Sequence, residues 1–278
     1  MALGMISTTF PPFDWDESWY VSRYPDVAEA MAQGRLTDPL FHFLQMGLRE
    51  GRFSSAAAEQ HARQSVGEHS SGPRDPVQLG GSLVPFDWPV AGEIGKTFAL
   101  KLVSGFFCRY VSGDVILDIG FRGANADAVP IFPHAVGVDL DYPGYDGVRL
   151  PFADASVDTV FASHVIEHIS DASAAIRDWF RVIKVGGYVV CIVPHQFLYE
   201  RKQDLPSKWS GEHLRFYTPG SLLCEFETSL QPNTYRVRHL ADNDLGYDYN
   251  LSADQHPYGC YEIEIVIEKI KPPPWSLA

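Results

Sequence analysis

From residue 83 onward the chain alternates two hydrophobic rhythms: short unbroken apolar runs, and longer stretches whose apolar residues recur every three to four positions. The first marks buried strands and the second amphipathic helices. The pattern predicts a helix over 93–110 and strands over 115–120, 135–141 and 159–163. A helix over 171–184 follows, with Ile176, Trp179, Phe180 and Ile183 on one stripe and Gly186-Gly187 just past its end. The run at 188–193 is apolar throughout, as in a central strand covered on both faces. Another helix is expected from Thr218-Pro219 to about Leu230, then strands over 235–240 and 261–270. In the last, Tyr261, Ile263, Ile265 and Ile267 alternate with Glu262, Glu264, Val266 and Glu268, which predicts a half-solvated antiparallel strand. Such βα alternation closed by an antiparallel pair gives an α/β fold with a doubly wound, mostly parallel sheet.

Two shorter zones precede it. Residues 1–52 read as a small helical module. One helix starts at Tyr24-Pro25-Asp26, with Pro25 at the first helical position, and stops at Gly34. Another starts at Asp38-Pro39 and carries Leu40, Phe43, Leu44 and Leu48, with Gly51 beyond it. Trp15, Trp19, Tyr20 and Tyr24 are a heavy aromatic load for so small a piece, so it is expected to pack on something, a protein partner included. Residues 53–82, rich in Ser, Ala, Gly and Gln, read as a linker, which leaves 83–278 as the main domain. Pro-Phe-Asp-Trp occurs at 12–15 and again at 85–88, but one short match is weak evidence of a repeat.

Composition narrows the partners. A formal net charge of −13 argues against nucleic acid and anionic lipid, both of which need a positive surface. No apolar run is long enough to span a bilayer, and Met1–Phe10 lacks the basic and apolar regions of a secretory signal. The four cysteines are widely spaced and form no C-x-x-C pair, so a reducing, cytoplasmic location is expected.

The chemistry concentrates at strand ends. The strand at 115–120 closes with Asp118-Ile-Gly120, and the next with Asp139. In an open parallel sheet two such tips present a nucleotide-like ligand. Glycine lets the backbone approach it, and a carboxylate after the second strand accepts from ribose hydroxyls. NAD satisfies the same logic, but no G-x-G-x-x-G is present and Asp118 sits two residues before the first glycine. His164-Val-Ile-Glu167-His168 matches H-x-x-E-H, a zinc-protease motif that needs both histidines on one helix face. The first histidine here directly follows a strand, so the segment reads as a strand-to-helix corner. No metal is assigned, although nearby acids and histidines could hold Mg²⁺ through water.

In order and spacing, Leu117-Asp118-Ile-Gly120, Val138-Asp139, Leu150-Pro151-Phe152, Ser163-His164-Val-Ile-Glu167-His168 and Val185-Gly186-Gly187 resemble the class I S-adenosylmethionine-dependent methyltransferases, over residues 93–270. The resemblance implies a Rossmann-like sheet of seven strands and S-adenosylmethionine as cofactor. Asp118 and Gly120 would meet its methionine end, Asp139 its ribose hydroxyls and Asp146 the adenine amino group. Phe121, Arg122 and Leu140 would be further cofactor contacts, and Ser163 and His164 would line the boundary with the substrate. The glycine loop departs from the family, because Arg122 and Ala124 stand where the pattern has glycine. A cation beside a sulfonium is electrostatically odd unless it points outward or grips the cofactor's carboxylate.

Transfer to a hydroxyl is helped by a base. His164, His168, His195 and His213 fall on the substrate side, with His213 or His164 favoured as base and Glu212 or Glu167 orienting it. Residues 194–209 would form a lid. Arg215-Phe216-Tyr217-Thr218-Pro219 and Asp242-Asn243-Asp244 resemble methyltransferases associated with bacterial surface-glycan assembly, and Tyr24-Pro25-Asp26-Val27 resembles helical modules attached to glycan enzymes. The expectation is an O-methyltransferase acting on a sugar hydroxyl of a glycan or nucleotide-sugar intermediate. The alternative is a non-catalytic scaffold or regulator in a glycan-assembly complex.

Overall fold

A computed structural model describes residues 14–64, 77–79, 82–122 and 127–275. The front module begins with α1 (Glu17–Arg23) and α2 (Pro25–Ala32), followed by α3 (Pro39–His42), a π turn (Phe43–Gly47) and α4 (Leu48–Glu50). The Asp16 and Asp38 carboxylates cap α1 and α3 by accepting from the Trp19 and Phe41 amides. Tyr20 is fully buried, with the rings of Trp15, Tyr24 and Phe43 at 5.0, 4.9 and 5.4 Å. The segment expected to be a linker starts as structure: α5 (Ala56–Gln64) is tied back to α1 through Arg23 and Glu59 at 2.9 Å. Its far end forms a hairpin of β1 (Val77–Leu79) and β2 (Ser82–Val84). The stretch 65–76, and residues 12–13 of the first Pro-Phe-Asp-Trp, lie outside the described residues.

The helix expected over 93–110 is two helices, α6 (Ile94–Val103) and α7 (Phe106–Tyr110), broken at Gly105 with φ +75°. Then come β3 (Ile116–Ile119), β4 (Val136–Val138), β5 (Val157–Ser163), α8 (Ala172–Val182) and β6 (Ile183–Pro194). The chain ends with α9 (Pro219–Ser229), β7 (Tyr235–Asn243) and β8 (Glu262–Lys269). Thr218 and Ser221 form the capping box that opens α9.

The main sheet has the order β4-β3-β5-β6-β8-β7. Its first four strands are parallel, and β8 runs antiparallel between β6 and β7. Six strands are present among the described residues, where seven were expected, because residues 139–156 between β4 and β5 make only turns. Helices cover both faces. Leu117, Val160, Val189 and Ile265 pack toward α8 and α9, whereas Ile116, Phe161, Val190 and Val266 pack toward α6 and α7.

The expectation for β8 is overturned in one respect. Its alternation is real, but its acidic side is not solvated. Glu262 and Glu264 are 2% and 7% exposed, because β8 lies inside the sheet and its second face sits under α6. Lys101 of α6, equally buried, reaches Glu264 Oε1 at 2.6 Å and Glu262 Oε2 at 3.3 Å. The other side of α6 is covered too, since Ala99, Leu100 and Val103 pack with Tyr20, Leu44 and Leu48 of the front module. No described helix is long and apolar enough to cross a membrane.

Candidate functional site

The carboxyl ends of β3, β4 and β5 open on a crevice of two cavities, of about 380 and 550 Å³, that share Gly120 and His164. Parallel strands aim their terminal carbonyls and loops to one side, which is why the site forms there. Asp118, Phe121, Arg122 and Ser163 line the first cavity with Glu93. Asp139, Leu140, Asp146, His168 and Glu212 line the second.

Gly120 has φ +67°, and a Cβ there would lie 2.6 Å from Val165 Cγ2. Only glycine turns the chain this sharply beneath the crevice. Asp118 is buried on β3 and accepts the Ile131 amide at 2.6 Å. Burial pushes its carboxyl up to about 7 against that hydrogen bond, and the neighbouring Asp139 charge adds to the rise. Asp139 accepts the amides of Leu140 at 2.8 Å and Arg122 at 3.3 Å. Asp146 caps its own turn by accepting from the Arg149 and Val148 amides, which hold it below the usual carboxylate range. The Ser163 hydroxyl is buried on the crevice floor with no partner among the described residues.

Arg122 also lines the crevice. Its guanidinium pairs with Asp141 at the outer rim and lies 5.2 Å from the Phe121 ring centroid. The Phe121 ring presses on Gly137 of β4, where a Cβ would come within 2.5 Å of Cε1. Gly123 and Ala124 of the same loop lie outside the described residues.

His164 closes β5 in the left-handed region, φ +57°. Its Nδ1 is 3.8 Å from Glu167 Oε1 and its Nε2 3.6 Å from Glu262 Oε1. Burial opposes its charging, but Glu262, Glu167 and Glu93 outweigh it and hold the imidazole above its ordinary value. Glu93 itself is kept low, against burial, by Lys96 at 2.5 Å. Glu167 and His168 follow on a 3-10 turn (Ile166–His168), so the H-x-x-E-H segment is not one helix face.

The other two histidines part ways. His213 meets His168, with ring centroids 4.8 Å apart, and its Nδ1 is 3.1 Å from Glu200 Oε1. Its orienting acid is therefore Glu200, not Glu212 as the sequence suggested. Glu212 instead lends its carbonyl to His168 Nδ1 at 3.2 Å. His195 lies outside the lining of both cavities and caps the π turn Gln196–Glu200 by accepting the Phe197 amide at 3.0 Å. The sequence reading missed Glu93, Glu200 and Glu262. Only Glu262 carried a signal, an acid every second residue within a strand.

Parts of the chain are similar to known methyltransferases. Residues 124–191 match the methyltransferase domain family. A demethylmenaquinone methyltransferase of Streptomyces griseus is 49% identical over 51 residues, 18% of this chain and 22% of that protein. A probable S-adenosylmethionine-dependent methyltransferase of Mycolicibacterium smegmatis is 30% identical over 112 residues, 34% of this chain and 44% of that protein. The chain thus spans less than half the length of these curated relatives. Among solved structures, an S-adenosylmethionine-dependent methyltransferase from Aquifex aeolicus is similar with a TM-score of 0.38 at 14% identity, covering 60% of this chain and 88% of that one.

Proposed function

We propose that the protein is an S-adenosylmethionine-dependent methyltransferase whose cofactor occupies the crevice above β3 and β4. The observation that carries this reading is the pairing of the Asp118 and Asp139 carboxylates across the left-handed Gly120, over two joined cavities. The residues present suit the cofactor. Asp118 is an acid raised by burial that a cationic ammonium would ionise, and Ser163 is a buried hydroxyl awaiting a partner. Arg122 pairs its charge with Asp141, which lessens its repulsion of a sulfonium. When bound, the cofactor supplies an electrophilic methyl group.

The chain's own residues then divide the work. Asp139 and Leu140 hold the ribose side, Asp146 the adenine side, and Asp118 with Ser163 the amino-acid end. His164 stands where the two cavities join, within reach of an acceptor's proton, and Glu167 and Glu262 stabilise the imidazolium it would become.

The acceptor side carries polar groups, His164, His168, Ser170 and Glu212, among the apolar Val165 and Ile169. That lining supports a hydroxyl-bearing acceptor, such as the sugar expected from the sequence. The glycan assignment itself rests on sequence resemblance alone, and several relatives are named as quinone methyltransferases. A quinol is therefore the second acceptor to assay.

Titration calorimetry with S-adenosylmethionine and its demethylated product tests the core of this reading. One site per chain is expected, and absence of uptake would turn the reading toward a non-catalytic scaffold.

A further inference from the structure

Beside the crevice stands a cluster that the methyl-transfer reading uses only in part, through Glu167 near His164 and His168 in the cavity lining. Glu167, His168 and His213 bring one carboxylate oxygen and two imidazole nitrogens within 4.8 Å of one another. Glu167 is fully buried, yet neither of its carboxylate oxygens has a hydrogen-bond partner among the described residues. An ionised carboxylate left so is costly by several kcal/mol unless a cation or a donor meets it. Its nearest neighbours, His164 Nδ1 at 3.8 Å and His168 Nε2 at 3.9 Å, stand too far to donate.

Both histidines are already set as ligands. His168 holds the Glu212 carbonyl through Nδ1 at 3.2 Å, and His213 holds the buried Glu200 carboxylate through Nδ1 at 3.1 Å. Each acceptor fixes the proton on Nδ1 and leaves Nε2 with its lone pair, the arrangement by which proteins orient metal-binding imidazoles.

We propose that Glu167, His168 and His213 form a binding site for a divalent transition ion of the Zn²⁺ type, with Glu200 and the Glu212 carbonyl as its outer supports. Two nitrogens and one carboxylate oxygen suit Zn²⁺, and three protein ligands leave a position open. A tetrahedral ion with bonds of about 2.1 Å sets its ligands roughly 3.4 Å apart, so side-chain rotations of under about 1.5 Å close the cluster. His164, the first histidine of the H-x-x-E-H segment, is not in the set, because its Nε2 is directed at Glu262.

Of the three ligands His168 lines the second cavity, which places the cluster beside the crevice. The role of the ion, though not the site, rests on the methyltransferase reading. There it would take the acceptor's hydroxyl oxygen, which gives its proton to His164 and then its electron pair to the methyl carbon. The carbon–sulfur pair returns to sulfur.

The test uses the full chain without a histidine tag, stripped with a chelator and titrated with CoCl₂ and ZnCl₂ in the absence of cofactor. One Co²⁺ per chain with a tetrahedral visible spectrum is expected, displaced by Zn²⁺. His168→Ala and His213→Ala should lose that spectrum, and Glu200→Gln should bind roughly 10- to 100-fold more weakly. Absence of the spectrum in the wild-type protein, or its persistence in the histidine variants, would overturn the site. If a histidine variant does not fold, Glu200→Gln decides alone: weakened binding supports the site and unchanged affinity refutes it. Because metal alone is the probe, this result is independent of whether S-adenosylmethionine binds.

Discussion

Glu262 and His164 meet beneath the crevice, with Oε1 3.6 Å from Nε2, while the other oxygen of the same carboxylate lies 3.3 Å from Lys101 Nζ. One acid on an interior strand therefore connects the buried cation of α6 to the corner where substrate and cofactor would meet. Thr97 and Asn243 complete its surroundings, at 3.3 and 3.4 Å.

Lys101 should be indispensable to folding. It is the buried cation that faces two buried carboxylates, and they hold its proton on against burial. Lys101→Met leaves Glu262 and Glu264 only the weaker support of Thr97, Asn243 and His239 and should cost about 3–5 kcal/mol in urea unfolding. Adding Glu264→Gln to the same protein should recover part of that loss. A single variant as stable as wild type would show that the carboxylates are neutral without their lysine.

Cofactor uptake should release a proton near neutrality. The Asp118 carboxyl, at about 7 in the native protein against 3.8 ordinarily, keeps its proton over that interval while the unfolded chain has lost it. Its contribution to stability is thus full below about pH 4 and is lost as pH rises through about 7, by at most about 1.4 kcal/mol per pH unit. A cationic ligand group favours the anion and expels the proton. Calorimetry at pH 6 in buffers of different ionisation heat should detect that release, and Asp118→Asn should abolish it.

The two charged residues at the mouth should behave oppositely. Asp139→Ala removes a charged acceptor and should weaken S-adenosylmethionine binding about 10- to 100-fold, as hydrogen bonds to a charge are worth about 1.5–3 kcal/mol. Arg122→Gly breaks an exposed ion pair with Asp141 and an exposed contact with the Phe121 ring, and should change stability by about 1 kcal/mol or less. Binding should persist in it, measured by the same titration.

Gly120→Ala should damage both stability and binding. The left-handed backbone costs an alanine about 1–2 kcal/mol, and its Cβ would collide with Val165 at 2.6 Å. Thermal melting and cofactor titration should fall together. Intact binding would mean that the turn can open without disturbing the crevice.

The strand-end part of this site was legible because each piece of it is local. Asp118-Ile-Gly120 and Asp139 sit at strand ends, and a strand end can be read from a run of a few residues. The strand positions followed for the same reason. What escaped reading depends on distant segments meeting. Glu200 reaches His213 across 13 residues of irregular chain, and nothing in its surroundings marks it as that partner. Glu262 and Glu264 have the period of a half-wet strand, and only the return of β7 to the sheet edge makes β8 interior. The single helix expected over 93–110 failed at Gly105, since one glycine inside an otherwise helical pattern does not say whether the helix breaks there.

The position of α6 has a consequence for how the chain can be cut. One side of it carries Lys101 to the acids of β8, and the other is seated against Tyr20, Leu44 and Leu48. A fragment shortened to residues 83–278 would bare the Ala99, Leu100 and Val103 side to water and slacken the helix that neutralises Glu262. The aromatic front piece thus serves as a keystone for the half that carries the main sheet, and removing it should reach the crevice without touching a single residue that lines it.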